Sequence, residues 1–140
     1  MKRLTIHDLK NGDRAEFSKT ISEHDVYAFA GITGDFNPLH VDAEYAAQTR
    51  FGARISHGAL LAGLISTVVG MKLPGPGALY ASQSLKFLRP VYIGDTITAF
   101  AEVSDLDAER NRVRLRTGCT NQKGEAVAEG ESVLLPSKEP

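Results

Sequence analysis

The sequence predicts an α+β fold, and three features carry the prediction. Apolar residues alternate at strand period in several separate segments. One run, Gly58 to Met71, is apolar on every side. The order is one strand, then helices, then four strands joined by short turns. With 140 residues and 42% apolar content, the chain suits one domain spanning 1–140 with a real core and is too short for two.

In the first strand Ala15, Phe17 and Ile21 alternate with Arg14, Glu16, Ser18 and Thr20, and only Lys19 breaks the pattern. Ser22 followed by Asp25 marks a helix start. The hydroxyl accepts from an orphan N–H, and the acid answers the positive helix end. That helix carries Val26, Phe29 and Ala30 and is expected to stop near Gly34. Pro38 then forces Asn37 into an extended conformation, which predicts a compact loop over "GDFNPLHVD". "DAEYAAQTR" reads as a second short helix, capped by Asp42 and ended at Gly52.

The long apolar helix follows "ARISH" and is terminated by Pro74 and its neighbouring glycines. Four strands are expected after it. Leu79, Ala81, Leu85 and Phe87 mark the first; Ile97, Ala99, Ala101 and Val103 mark the second, after the Gly94-Asp95 turn. Val113, Leu115 and Thr117 alternate with arginines in the third, and the last runs from about Glu125 to Leu135. A helix apolar on all sides must be enclosed on all sides, and a curved sheet wraps only part of it. The remainder needs other helices, loops or a second copy of the chain, which favours a homodimer.

Charge and composition exclude several functions. A net charge of −1 leaves no electrostatic footprint for nucleic acid or an anionic membrane. The apolar run is shorter than the roughly 20 residues that span a bilayer. A single cysteine, Cys119, rules out an internal disulfide, and no secretory signal opens the chain, so a cytoplasmic setting is expected.

Chemistry concentrates in "GITGDFNPLHVD", Gly31 to Asp42. On a Pro-turned loop Asp35 and His40 can point into one cleft as an acid-base pair, with Asn37 beside them as a hydrogen-bonding amide. Plain turn formation explains the same residues singly. A metal site from Asp35, His40 and Asp42 is a third reading. Asp42 has a better role as a helix cap, and His24, His40 and His57 lack ligand spacing such as H-E-x-x-H, so no metal is expected. In "SHGAL" the backbone N–H of Gly58 opens the buried helix, where a carbonyl oxygen gaining negative charge would be stabilised; packing of helix on sheet is the alternative. Ser66 lies two turns further on, where a hydroxyl commonly bonds the preceding turn. Arginines 110, 112, 114 and 116 form a basic stripe, read as a solvated face or as a handle for an anionic phosphate.

"FAGITGDFNPLHVDAEYA" resembles the hydratase motif of the MaoC-like (R)-specific enoyl-CoA hydratases, Gly/Glu-Asp-x-Asn-Pro-hydrophobic-His followed by a short acid-capped helix. "ISHGALLAGLIS", "LPGPGALYASQSLKFLRPVYIGDTITA" and "GEAVAEGESVLL" follow that family in order and spacing, so the resemblance spans nearly the whole chain. It implies a hot-dog fold, in which a curved antiparallel sheet wraps the long helix, and a homodimer with active sites near the subunit interface. It implies reversible hydration of trans-2-enoyl-CoA to (R)-3-hydroxyacyl-CoA. Asp35 and His40 would be the acid-base pair, Asn37 the supporting amide, Gly58 the thioester-binding N–H, and Ser66 a hydroxyl behind the pair. No metal or redox cofactor is implied; coenzyme A is part of the substrate. A thioesterase would need an acid early in the central helix, and "SHGALLAGLIS" has none. A dehydratase acting on acyl-carrier protein would use the same residues, and a non-catalytic acyl-CoA binding module would bind without turnover. The pathway, polyester monomer supply or fatty-acid metabolism, stays open.

Overall fold

Strand β1 (Arg14–Thr20) delivers the chain to Ser22, whose hydroxyl accepts the Asp25 N–H at 3.1 Å while the Asp25 carboxylate accepts the Ser22 N–H at 2.9 Å. This reciprocal cap starts helix α1 (Glu23–Thr33). The computed structural model describes residues 2–140. A short 3-10 turn, Ile6–Asp8, precedes β1 and tucks Ile6 into the core. After α1 come α2 (Pro38–Val41), α3 (Ala43–Ala47), the long helix α4 (Gly58–Met71), and strands β2 (Leu79–Phe87), β3 (Thr96–Asp107), β4 (Arg112–Thr120) and β5 (Ala126–Leu135).

The five strands form one sheet in the order β1-β3-β4-β5-β2, and every neighbouring pair is antiparallel. Helix α4 touches β1, β2, β3 and β4, so the sheet curves around it. Leu61, Leu64, Ile65, Val68 and Val69 are the face it buries, at helical spacing, against Ile97, Ala99, Val113, Leu115 and Val127. Burying one such aliphatic side chain stabilises the fold by about 1.5–3 kcal/mol. This is the hot-dog arrangement; the expected bounds of α4 hold, and within the chain one of its faces is buried. Its other face, carrying Ala59, Gly63 and Ser66, is open to solvent within the chain. Among the described residues no helix is long and apolar enough to cross a membrane.

The structure corrects three local expectations. Residues 38–41 are one helical turn rather than plain loop, because Pro at the first helical position lacks only an N–H that would have no partner there. Helix α3 stops at Ala47, short of Gly52, where the Thr49 hydroxyl donates to the Ala46 carbonyl at 2.7 Å and the chain turns. Strand β3 continues past Val103 to Asp107 through a register shift between Val103 and Asp105. In the arginine stripe, Arg114 and Arg116 stand paired on a solvated sheet face, while Arg110 lies in the turn before β4. Arg114 meets Glu131 at 3.0 Å, Arg116 meets Glu102 at 2.9 Å, and Arg116 also lies over the Phe100 ring at 4.8 Å. Exposed pairs of this kind contribute about 0–1 kcal/mol each.

Two consequences can be measured. Ile65→Ala should lower stability by about 2–5 kcal/mol, read as a shifted urea midpoint with unchanged slope, because the cavity lies where helix meets sheet. Cys119 is fully buried and burial pushes its thiol up to about 12. Alkylating reagents should therefore label it only after unfolding, and rapid labelling of the native protein would contradict its place in the core.

Candidate active site

Helix α1 ends at Gly34, whose φ of 86° is the left-handed conformation that glycine adopts without strain. The reversal turns Asp35 out of the helix. The Asp35 N–H donates to Thr33 Oγ1 at 3.2 Å, and Asp35 Oδ1 accepts the Asn37 N–H at 3.2 Å. Asn37 is extended, at φ −50° and ψ 125°, as a residue before proline should be. Its Oδ1 accepts the Leu39 N–H at 3.1 Å and so caps α2.

One turn later His40 is buried, at 8% exposure, and its Nδ1 lies 2.7 Å from the Ile55 carbonyl oxygen. A carbonyl only accepts, so Nδ1 carries the hydrogen. In the neutral ring Nε2 then holds the free lone pair. Ile55 is itself fixed. Its N–H donates to Leu39 O at 3.3 Å, it bridges to Tyr92, and the Ser56 N–H donates to Val91 O at 2.7 Å. Arg54 ties the same strap to α1 through Glu23 and, at 2.9 Å, the Tyr27 hydroxyl. The Glu23 carboxyl is held below its ordinary range chiefly by the hydrogen bond from Arg54.

His57 and Gly58 complete the site. His57 is 1% exposed, and its Nε2 lies 2.9 Å from the Asp35 carbonyl oxygen. Its ring stacks on His40 with centroids 3.9 Å apart and planes 31° apart, and Phe29 lies against it at 4.7 Å. Gly58 opens α4 with no side-chain cap on the preceding residue. The first N–H groups of a helix have no internal partner, and the helix end is partly positive. A Cβ on Gly58 would come within 2.9 Å of the Phe87 ring, so glycine is what permits Phe87 to approach here.

One carboxylate oxygen of Asp35 and one ring nitrogen each of His40 and His57 lie within 4.8 Å of one another. As a metal site the trio fits poorly. Ligands about 2.0–2.2 Å from one ion must aim their lone pairs at a single point. The two imidazoles are stacked with planes 31° apart, and one nitrogen of each is already engaged by a main-chain carbonyl. Asp42 serves α3 instead, accepting the Tyr45 N–H at 3.0 Å. A cleft of about 500 Å³ reaches His40 and is lined by Phe51, Ser56, Gly58, Leu61 and Phe87. A larger cleft, about 680 Å³, lies between Thr5, Asn111 and Ser137, away from the Asp35 and His40 pair.

The structure thus brings Asp35, Asn37, His40 and Gly58 into one neighbourhood. Ser66 is exposed on α4 and forms no hydrogen bond with Asp35 or His40 among the described residues. Of the residues flanking Gly58 on α4, Ala59 and Leu61 line the cleft, while Ile65 is core. The residue missed by sequence reasoning is His57. Its signal was a histidine directly before an apolar helix that lacks a capping side chain.

Comparisons with known proteins agree with this fold. The MaoC like domain model matches residues 8–124. The chain is 52% identical to the (R)-specific enoyl-CoA hydratase of Rhodospirillum rubrum, over 96% of each chain. It is 48% identical to the 3-hydroxybutyryl-CoA dehydratase of Methylorubrum extorquens, over 99% of this chain and 88% of that one. The unliganded R-hydratase PhaJ1 of Pseudomonas aeruginosa superposes with a TM-score of 0.93 at 42% identity, over 98% of this chain and 88% of that one.

The double use of Asn37 can be separated. Asn37→Ala should lower stability by about 0.5–2 kcal/mol through loss of the cap, whereas Asn37→Asp should retain most of it, as measured by urea unfolding. Equal losses in the two variants would show that the cap is not what Asn37 contributes.

Proposed function

This chain belongs to the MaoC like domain family, and on that premise we propose that it hydrates trans-2-enoyl-CoA to (R)-3-hydroxyacyl-CoA, reversibly. The observation that carries the reading is the His40 ring. With Nδ1–H held by the Ile55 carbonyl, its Nε2 lone pair is free for proton transfer, and the ring has a nitrogen within 4.8 Å of an Asp35 carboxylate oxygen.

A water held between Asp35 and His40 gives a proton to the pair as its oxygen attacks C3. The C2=C3 electron pair shifts toward the thioester, forming an enolate oxygen beside the Gly58 N–H. The pair then returns a proton to C2, on the same face that received the water. One proton passes through the pair per turnover, and the two groups act as one unit. Positioned acid-base groups give about 10²–10⁴ in rate, and an aligned N–H at the developing oxyanion adds about 3 kcal/mol. Asn37 holds the turn that presents His40. The reaction needs no metal or redox cofactor.

Coenzyme A is the handle. Arg50, over the Phe51 ring at 4.8 Å, lines the cleft without a carboxylate partner among the described residues and offers charge to its phosphates. A carrier-protein substrate would be favoured by a free basic docking patch, whereas Arg114 and Arg116 are paired with Glu131 and Glu102. The working form is a homodimer. Supporting this are the edge strand β2, which carries exposed Leu79 and Phe87, and the uncovered face of α4. A single buried thiol suits the cytoplasm.

Crotonyl-CoA tests the reading, by loss of enoyl thioester absorbance and the handedness of the product. Asp35→Asn and His40→Ala should each lose about 10²–10⁴ in kcat while remaining folded. Full activity in either variant would remove that residue from the mechanism, and an inactive wild-type protein would remove the hydratase reading.

A further inference from the structure

His57 sits where three parts of the site meet, and filling space does not explain it. Its Nε2 is 2.9 Å from the Asp35 carbonyl oxygen, its ring lies on the His40 ring at 3.9 Å, and its own carbonyl precedes Gly58, the first residue of α4. The carbonyl of Asp35 only accepts, so Nε2 is the protonated nitrogen. Nδ1 is then a buried lone pair, and among the described residues it has no partner. A buried acceptor left unpaired is unfavourable. A phenylalanine or leucine would fill the same volume between Phe29 and His40 without that penalty. What these residues lack, and histidine supplies, is the Nε2–H donor to the loop that carries Asp35.

We propose that His57 is a positioning residue for the hydration reaction. It anchors the Asp35 main chain through Nε2–H and seats the His40 ring against its own face. The acid loop, the imidazole and the Gly58 N–H are thereby held at fixed separations. The inference rests on the hydratase reading, since it assigns His57 to that reaction's geometry. His57 is buried, at 1% exposure, against the Asp35 main chain and the His40 ring. It acts through Asp35 and His40, so the effect belongs in kcat rather than in substrate affinity. Displacing a reacting group by about 1 Å can lower a rate on the order of 10²-fold.

The test compares two variants with the wild-type protein on crotonyl-CoA. His57→Phe keeps an aromatic ring against His40 and removes the donor. His57→Gln gives up the ring but places an amide N–H near the position of Nε2. His57→Phe should lose about 10–100-fold in kcat with KM within about threefold of wild type and native circular dichroism. His57→Gln should recover most of that loss. Near-wild-type kcat in His57→Phe, or equal impairment of both folded variants, would overturn the proposal. So would a loss confined to KM. If His57→Phe fails to fold, His57→Gln decides: kcat within about fivefold of wild type supports the anchor, and a loss like that expected for Phe overturns it. An inactive wild-type protein would instead sink the hydratase reading and this inference with it, whereas active wild type with an indifferent His57 sinks the inference alone.

Discussion

Everything in this molecule is arranged around the burial of one face of α4 in the concave side of the sheet. Leu61, Ile65 and Val68 are packed against β3 and β4, so the helix can neither slide nor rotate without opening a cavity. That restraint fixes the N-terminal end of α4 in space. The strap of residues 54–57 leads directly into it and is pinned on both sides, to the Val91–Tyr92 segment and to Leu39. A reaction centre built there inherits the rigidity of the core without occupying it. Asp35 and His40, the proposed acid-base groups, come from short segments outside the sheet, where polar side chains can be exposed to a cleft.

Much of this could be read from the sequence because the signals were local. Ser22 and Asp25 start α1 and Gly34 ends it; Gly58 and Met71 bound α4; the alternation of Val113, Leu115 and Thr117 with arginines places β4. Each of these depends on neighbours within one turn or one strand. The site was half legible for the same reason. Asp35, Asn37 and His40 stand within one short segment, and proline before the histidine announced a change of direction.

The rest depended on contacts across the chain. Pro38 was read as a break, although at a helix start it is a favoured residue, so a single helical turn formed where a loop was expected. Helix α3 ended early because the Thr49 hydroxyl found the Ala46 carbonyl. His57 gave little warning, since its partners Asp35 and His40 lie on another segment and only the tertiary fold stacks the two imidazoles. The arginine stripe was ambiguous until the registers of β3 and β5 brought Glu102 and Glu131 opposite it.

The bonds that orient the two site histidines end on main-chain oxygens: Ile55 O for His40 and Asp35 O for His57. A carbonyl is present whatever side chain its residue carries. The tautomer of His40 is therefore insulated from mutation at position 55, and the cleft wall beside it is free to change size over evolutionary time. A lineage of such proteins could retune the length of acyl chain it admits by substitutions at position 55, which lines the cleft, while the His40 ring keeps its orientation.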